Sequence, residues 1–341
     1  MIKLGIRAHD IGKYSMNELA ERVRNIGFDG VQLVIKKALI EPFDSITPKA
    51  LNNAFDKPFI MMLGAYFNPL HPNPKEVENG VNFVYDQLRL AHDMGCAFVG
   101  TETGSYMGSP WGYMKENHED DALYEVVAVF KPLSKEAEKL GVYFAIEGAY
   151  AHVAYSPKRL KQLYDHLGSP SVKIILDVFN YLNIDNYQHH LEICNEALNL
   201  FKDEIVIVHL KDFIVQDQSL KLVGLGQGLM NYDVMLPMIV KAIPNAYLIF
   251  EGVTGPDIIS SFQWIRHKLE RIEEIWWWIF VIIITLKTQK RTTQKPYVND
   301  FWWKKSLNLI TLFLPIPIMI ALFLVASCQS MKHYHSLAPK I

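Results

Sequence analysis

The chain reads as an α/β protein that closes into a (β/α)8 TIM barrel and then continues into a hydrophobic tail with no place in that barrel. Three observations carry this reading. Short β-branched runs alternate with longer amphipathic stretches over the first 275 residues. There are eight such runs, and eight βα units in about 250 residues is the size of a closed parallel barrel. Four of the runs end on a carboxylate or an imidazole, at the strand ends where such barrels carry their chemistry.

The expected strands are residues 2–7, 30–35, 59–67, 97–102, 142–147, 172–177, 205–210 and 246–251, each rich in Val, Ile, Phe or Tyr. Residues 16–26 form the first clear helix, with Ser15 as N-cap and Gly27 as stop. Residues 79–94, 121–140 and 191–201 continue the alternation. A doubly wound open sheet has the same order, but it gathers its polar groups at one switch point rather than on four successive strands.

Composition narrows the class. Of 341 residues, 50% are hydrophobic and 21% charged, enough to fill one large core. A net charge of −2 gives no electrostatic footprint for nucleic acid. Cys96, Cys194 and Cys328 are widely spaced with no CxxC, which argues against a disulfide framework and fits a reducing compartment. The start, MIKLGIRAHD, lacks the apolar core of a signal peptide, so residues 1–275 are expected in the cytoplasm.

Character changes after Ile275. IWWWIFVIIITL is too short to span a bilayer, TQKRTTQK is basic, and the run from Leu307 to Ser327 is long enough to cross despite Pro315 and Pro317. Residues 276–341 are therefore set apart from the 1–275 barrel. The tail is either a membrane segment at 307–327, with Lys304 and Lys305 on the cytoplasmic side, or the product of readthrough into a neighbouring frame. Lys304-Lys305, the apolar run and Val325-Ala326-Ser327-Cys328 are built like a lipoprotein signal, which has no use at a C-terminus; the second reading is preferred.

The strand ends bear Glu147, Asp177, His209 and Glu251. Three carboxylates and one imidazole suit a hard or borderline divalent ion: Mn²⁺ first, with Mg²⁺, Co²⁺ or Zn²⁺ as alternatives. A lone strand-end Glu is more often half of an ion pair, but four ligand types on consecutive strands weaken that account. Lys211, two residues past His209, points the same way and is expected to bind substrate or to pair with a carboxylate such as Asp212. Asn180, His9, Glu102 and Trp111 are further substrate-binding candidates near the mouth, and Gly226 belongs to a GLGQG loop where barrels bind phosphate through backbone N–H groups. Tyr106, Trp111 and Tyr113 lie on a glycine-rich loop where they could close over a bound substrate or simply pack on the adjoining helix, His71 is expected in solvent, and His189-His190 are expected to face solvent rather than metal.

Glu147, Asp177 with Asn180 three residues on, His209-Leu210-Lys211-Asp212 and Glu251-Gly252, together with LGIRAHDIGK, GFDGVQL and GTETGS, resemble the xylose isomerase-like barrels, and among them the bacterial sugar phosphate isomerase/epimerase family, over about residues 1–270. The resemblance implies one divalent ion held by Glu147, Asp177, His209 and Glu251, with Glu147 and Glu251 as the catalytic acid/base pair. It implies a sugar or sugar-phosphate isomerase or epimerase of carbohydrate metabolism that moves a proton through an enediolate, and leaves room for a homo-oligomer. Two positions depart from the pattern: Asn180 where many relatives carry His, and Gln32 where many carry Glu. An inosose dehydratase-like lyase and a catalytically silent sugar-binding relative are the alternatives. An abasic-site endonuclease is disfavoured, for want of further ligands and a basic groove.

Overall fold

The computed structural model describes residues 2–57, 59–109 and 111–292. Eight parallel strands close into a barrel: β1 (Leu4–Arg7), β2 (Gly30–Leu33), β3 (Phe59–Gly64), β4 (Phe98–Glu102), β5 (Tyr143–Glu147), β6 (Val172–Asp177), β7 (Ile205–Leu210) and, after a two-stranded excursion, β10 (Tyr247–Phe250), which pairs with both β7 and β1. The excursion is an antiparallel hairpin of β8 (Asp212–Gln216) and β9 (Ser219–Val223). Helices lie between the strands: α1 (Ala8–Ile11), α2 (Met16–Ile26), α3 (Ile35–Ala38), α4 (Pro48–Ala54), α5 (Pro74–Met94), α6 (Asp120–Leu140), α7 (Pro157–Leu167), α8 (His190–Phe201) and α9 (Tyr232–Ala242).

Helix limits follow local chemistry. The Ser15 side chain accepts from Glu18 N–H at the start of α2, and Gly27 ends it at φ 107°, a left-handed conformation that a β-carbon disfavours. Helix α5 starts before the expected residue 79 because Asn73 caps it and Pro74 occupies the first turn, where its missing N–H costs nothing.

Two apolar layers surround the strands. The outer one packs strands against helices. The inner one fills the barrel with Met61, Met62, Ala145, Ile175, Ile207 and Ile249. Gly5 and Gly100 complete this layer by absence, since a β-carbon on Gly5 would meet Met61 and one on Gly100 would meet Met62 and Ile175. Side chains two residues apart on a strand share a face. Glu147, Asp177, His209 and Glu251 therefore stand directly above Ala145, Ile175, Ile207 and Ile249, and Arg7 and Glu102 above Gly5 and Gly100.

Six of the eight barrel strands are shorter than expected, with the largest differences at β1, which opens at Leu4, and at β2 and β3. Strand β2 stops at Leu33 because Ile35 opens a short helix, and β3 stops at Gly64 rather than 67. The hairpin was not expected: its turn uses Asp217 and Gln218 at φ 51° and 55°, without the glycine that marks such turns in a sequence.

Beyond the hairpin the chain folds back on Asp212. Its carboxylate accepts the backbone N–H groups of Phe213, Gly226, Gly228 and Met230 at 2.9 to 3.0 Å. The buried Asp212 is thus the internal anion around which the GLGQG loop is wound. Hydrogen bonds to a charged acceptor contribute about 1.5–3 kcal/mol each, and their donors are left buried when it goes. Asp212→Ala is therefore expected to destabilise the fold by about 3 kcal/mol or more, measured as a fall in the urea midpoint.

The chain divides into two units, Met1–Ile275 and Trp276–Ile341. Helix α10 (Asp257–Thr292) closes the eighth βα unit with Ile258, Ile265, Leu269 and Ile272 buried, whereas Ile275 is 38% exposed. The helix itself continues past the expected limit, to Thr292. Among the described residues no helix is long and apolar enough to cross a membrane; the expected segment at 307–327, with Lys304 and Lys305, lies outside them. Because Ile272 is the last buried side chain of α10 among the described residues, a chain truncated after Ile275 is expected to keep its cooperative unfolding transition and any affinity for a divalent ion, measured by circular dichroism and calorimetry.

Candidate metal centre and active site

The four strand-end side chains meet. One ligand atom each from Glu147, Asp177, His209 and Glu251 lies within 4.8 Å of the others, and all four residues are buried. His209 organises the group. Its Nε2 sits 2.7 Å from Gln32 Oε1, and an amide oxygen only accepts, so Nε2 carries the proton. Nδ1 is left to face Glu251 Oε2, Glu147 Oε1 and Asp177 Oδ2 at 3.1, 3.2 and 3.5 Å. Gln32 is itself fixed, donating to the Tyr66 hydroxyl at 2.8 Å.

Two cations border the cluster. Lys211 Nζ lies 2.7 Å from Asp177 Oδ2 and 2.8 Å from Glu251 Oε1, and donates to Asn180 Oδ1 at 2.9 Å. Arg7 reaches Glu251 Oε1 through Nη1 at 2.8 Å and holds Asp10 through Nε and Nη2. Asn180 in turn donates to Glu147 Oε1 at 2.7 Å.

These contacts set the charges apart. Burial pushes the Glu147 carboxyl up, and Glu251 and Asp177 add to that against the pull of His209. Burial acts the same way on Asp177 and Glu251 but is overcome, by Lys211 and His209 at the first and by Lys211, His209 and Arg7 at the second, so both fall below their ordinary range. His209 has burial against it, yet Glu251 and Glu147 raise it to about 10. A proton and a metal ion thus compete for Nδ1.

The donor set fits a divalent ion. Glu147 Oε2 is fully buried and has no hydrogen-bond partner, a costly state for a carboxylate oxygen. Asp177 Oδ2 has the nearby Lys211 ammonium as an ion pair but no aligned hydrogen bond. An ion seated among these oxygens and His209 Nδ1 would satisfy both.

The other expected site residues divide. Glu102 lies beside Glu147 in the β4–β5 register, and burial, then Glu147 and Glu251, hold its carboxyl up at about 8. Trp111 stands at the rim with its ring 5.7 Å from that of His152. Its loop is pinned rather than free: buried Asn117 donates to Ser105 Oγ, Gly112 O and Ala151 O, and Tyr113 stacks on Tyr150. His9 is half-buried beside Arg7, its Nδ1 without a partner. Lys211 joins the cluster, and its carboxylate partners are Asp177 and Glu251, not Asp212, which is occupied by the loop amides. Gly226 is not brought into the cluster; its N–H is spent on Asp212 Oδ2. His71 accepts from Asn73 N–H in its own loop. His189 is exposed as expected, but His190 is buried, with Nδ1 3.0 Å from Tyr187 O and Nε2 accepting from Asn231 N–H.

Arg7, Tyr66 and His152 were not singled out from the sequence. Arg7 had a signal: in Gly5-x-Arg7, as in Gly30-x-Gln32 and Gly100-x-Glu102, an inward glycine precedes a polar mouth residue by two. His152 lies in the loop after β5, where no periodicity points at a partner.

An oxygen-rich, single-imidazole cluster at the C-terminal mouth of a parallel barrel is a set that could hold a divalent ion at that rim. Residues 20–274 match the family described as xylose isomerase-like TIM barrel, and the chain belongs to that family. Solved structures agree on the fold. A xylose isomerase-like TIM barrel protein from Mycobacterium smegmatis in complex with magnesium is 14% identical at a TM-score of 0.60, over 80% of this chain and 97% of its own. An L-ribulose 3-epimerase is 15% identical at 0.64, over 82% and 98%. The IOLI protein with a bound zinc atom is 17% identical at 0.59, over 80% and 98%. No curated protein sequence matches the chain.

His9 and His152 are both held down at about 4, His9 by burial and then Arg7, His152 by burial. The unfolded chain takes up protons near pH 6.5 that the folded chain refuses, so their contribution to stability is full above pH 6.5 and is lost as pH falls toward 4. Glu102 and Glu147, whose carboxyls are raised, act in the opposite direction over the same window, so the histidine effect is read by comparison: His152→Gln is expected to lose less of its urea midpoint than the parent chain between pH 6.5 and 4.

Proposed function

We propose that the chain is a divalent-metal-dependent isomerase or epimerase of a sugar, moving a proton at the carbon beside a carbonyl through an enediolate. The observation that supports it most is the cluster itself, in which the two glutamates come from β5 and from the end of β10 and have opposite electrostatic surroundings. The ion, Mn²⁺ in our reading, would polarise the carbonyl oxygen and hold the neighbouring hydroxyl. Two titratable groups pushed in opposite directions are suited to opposite roles in proton transfer. Glu251, kept ionised by Lys211, His209 and Arg7, removes the proton. Glu147, which has no Lys or Arg on either oxygen, returns one. Asn180 would hold a substrate oxygen as negative charge develops there, while Lys211 keeps Asp177 and Glu251 ionised and Gln32 keeps His209 in the tautomer that offers Nδ1.

Asp177→Asn and His209→Ala are expected to give folded protein that has lost most of its affinity for Mn²⁺, read by calorimetry and metal content. Glu147→Gln and Glu251→Gln are expected to lower turnover by about 10² or more, because an amide of the same shape carries no proton. In D₂O the product is expected to gain deuterium at the carbon beside the carbonyl. Full turnover without deuterium overturns the proton-transfer mechanism, and an unsaturated product absorbing in the ultraviolet replaces isomerisation with elimination.

A further inference from the structure

Beside the metal cluster lies a pair of polar side chains that the proton-transfer chemistry does not use. His152 is 7% exposed, its Nδ1 is buried without a hydrogen-bond partner, and the nearest charged atom is Glu102 Oε2 at 3.5 Å. Glu102 stands on the same face as Glu147, one strand away, above the inner glycine at position 100. The indole of Trp111 bounds His152, and the Asn117 bond to Ala151 O ties the loop that carries Trp111 to the loop that carries His152. The pair is therefore held from both sides.

We propose that Glu102 and His152 form a subsite that binds hydroxyl groups at the end of the substrate remote from the metal, and that it takes an unphosphorylated polyhydroxy chain in preference to a phosphate ester. This rests on the reading of the cluster as a sugar-transforming centre. A hydroxyl donates one hydrogen bond and accepts others, so one placed between the two side chains satisfies the orphaned imidazole nitrogen and the carboxyl together, whichever of the two holds a proton.

A phosphate has no such welcome. The two cations at the mouth are already engaged, Arg7 with Asp10 and Glu251 and Lys211 with Asp177, Glu251 and Asn180. The glycine loop after strand seven offers no cradle either. Its Gly226 and Gly228 amides are on Asp212, and its Leu225 amide is on Ser261 Oγ. A phosphate dianion would add two charges beside Glu147 and Glu251, and neither Arg7 nor Lys211 is left uncommitted to balance them.

The test uses the full chain loaded with Mn²⁺ and isothermal titration with free ketoses of four to six carbons, their terminal phosphate esters, dihydroxyacetone and inorganic phosphate. At least one free ketose is expected to bind about tenfold or more tightly than its phosphate ester, and inorganic phosphate is expected not to compete. His152→Ala and Glu102→Gln are expected to weaken that ketose about tenfold, with Mn²⁺ content unchanged and dihydroxyacetone, which has no hydroxyl-bearing carbon beyond those flanking the carbonyl, bound as before. Tighter binding of the ester, binding of neither class, or equal weakening of ketose and dihydroxyacetone in both variants overturns the subsite. The mechanism is judged separately by deuterium exchange: a chain that binds the free ketose with this pattern but exchanges no proton supports the subsite and overturns the proposed function alone.

Discussion

The site depends on one geometric constraint, the two-residue period of a β-strand inside a closed barrel. Once Ala145, Ile175, Ile207 and Ile249 fill the barrel, the side chain two positions further along each strand has to emerge at the same rim, facing inward. Glu147, Asp177, His209 and Glu251 converge because the layer beneath them is closed and apolar, with no room for a side chain to fold back. The same constraint turns a core substitution into a change of site geometry. A void under any of the four would let its strand end shift, and a cluster whose ligand atoms lie within 4.8 Å has little tolerance for that.

Electrostatics works within that frame. Buried carboxylates without partners are costly, and Arg7 and Lys211 each bridge to them from the rim rather than from the layer below. Their unequal distribution does the discriminating: Glu251 has both cations, Asp177 has one, and Glu147 has only the neutral Asn180 amide and the imidazole. A pair of identical residues is thereby made chemically unlike by its second neighbours.

Much of this was legible in the sequence, and the boundary is physical. The four members of the cluster could be read because each closes a β-branched run, and Lys211 because it keeps step with His209. The role of Gly226 could not be read. GLGQG looks like an anion-binding loop and is one, but the anion is Asp212 of the same chain, a pairing across 14 residues that no local pattern encodes. The hairpin escaped because Asp217 and Gln218 adopt left-handed backbone without glycine. Arg7 escaped because a basic residue at a strand end resembles any solvated one until the carboxylate opposite it is known. His152 sits in a loop, where spacing carries no information about depth.

Lys211 and Asp212 are neighbours in the chain with opposite destinations, one ammonium aimed into the cluster and one carboxylate aimed into the loop beyond it. The segment from His209 to Phe213 is therefore a fixed reading frame in space. Substitution at either position removes one function, but inserting or deleting a single residue there would rotate a cation into the place of a buried anion and an anion into the site. A change of length is therefore expected to be tolerated in the hairpin turn and the outer loops and not between His209 and Asp212, whose spacing works as a unit.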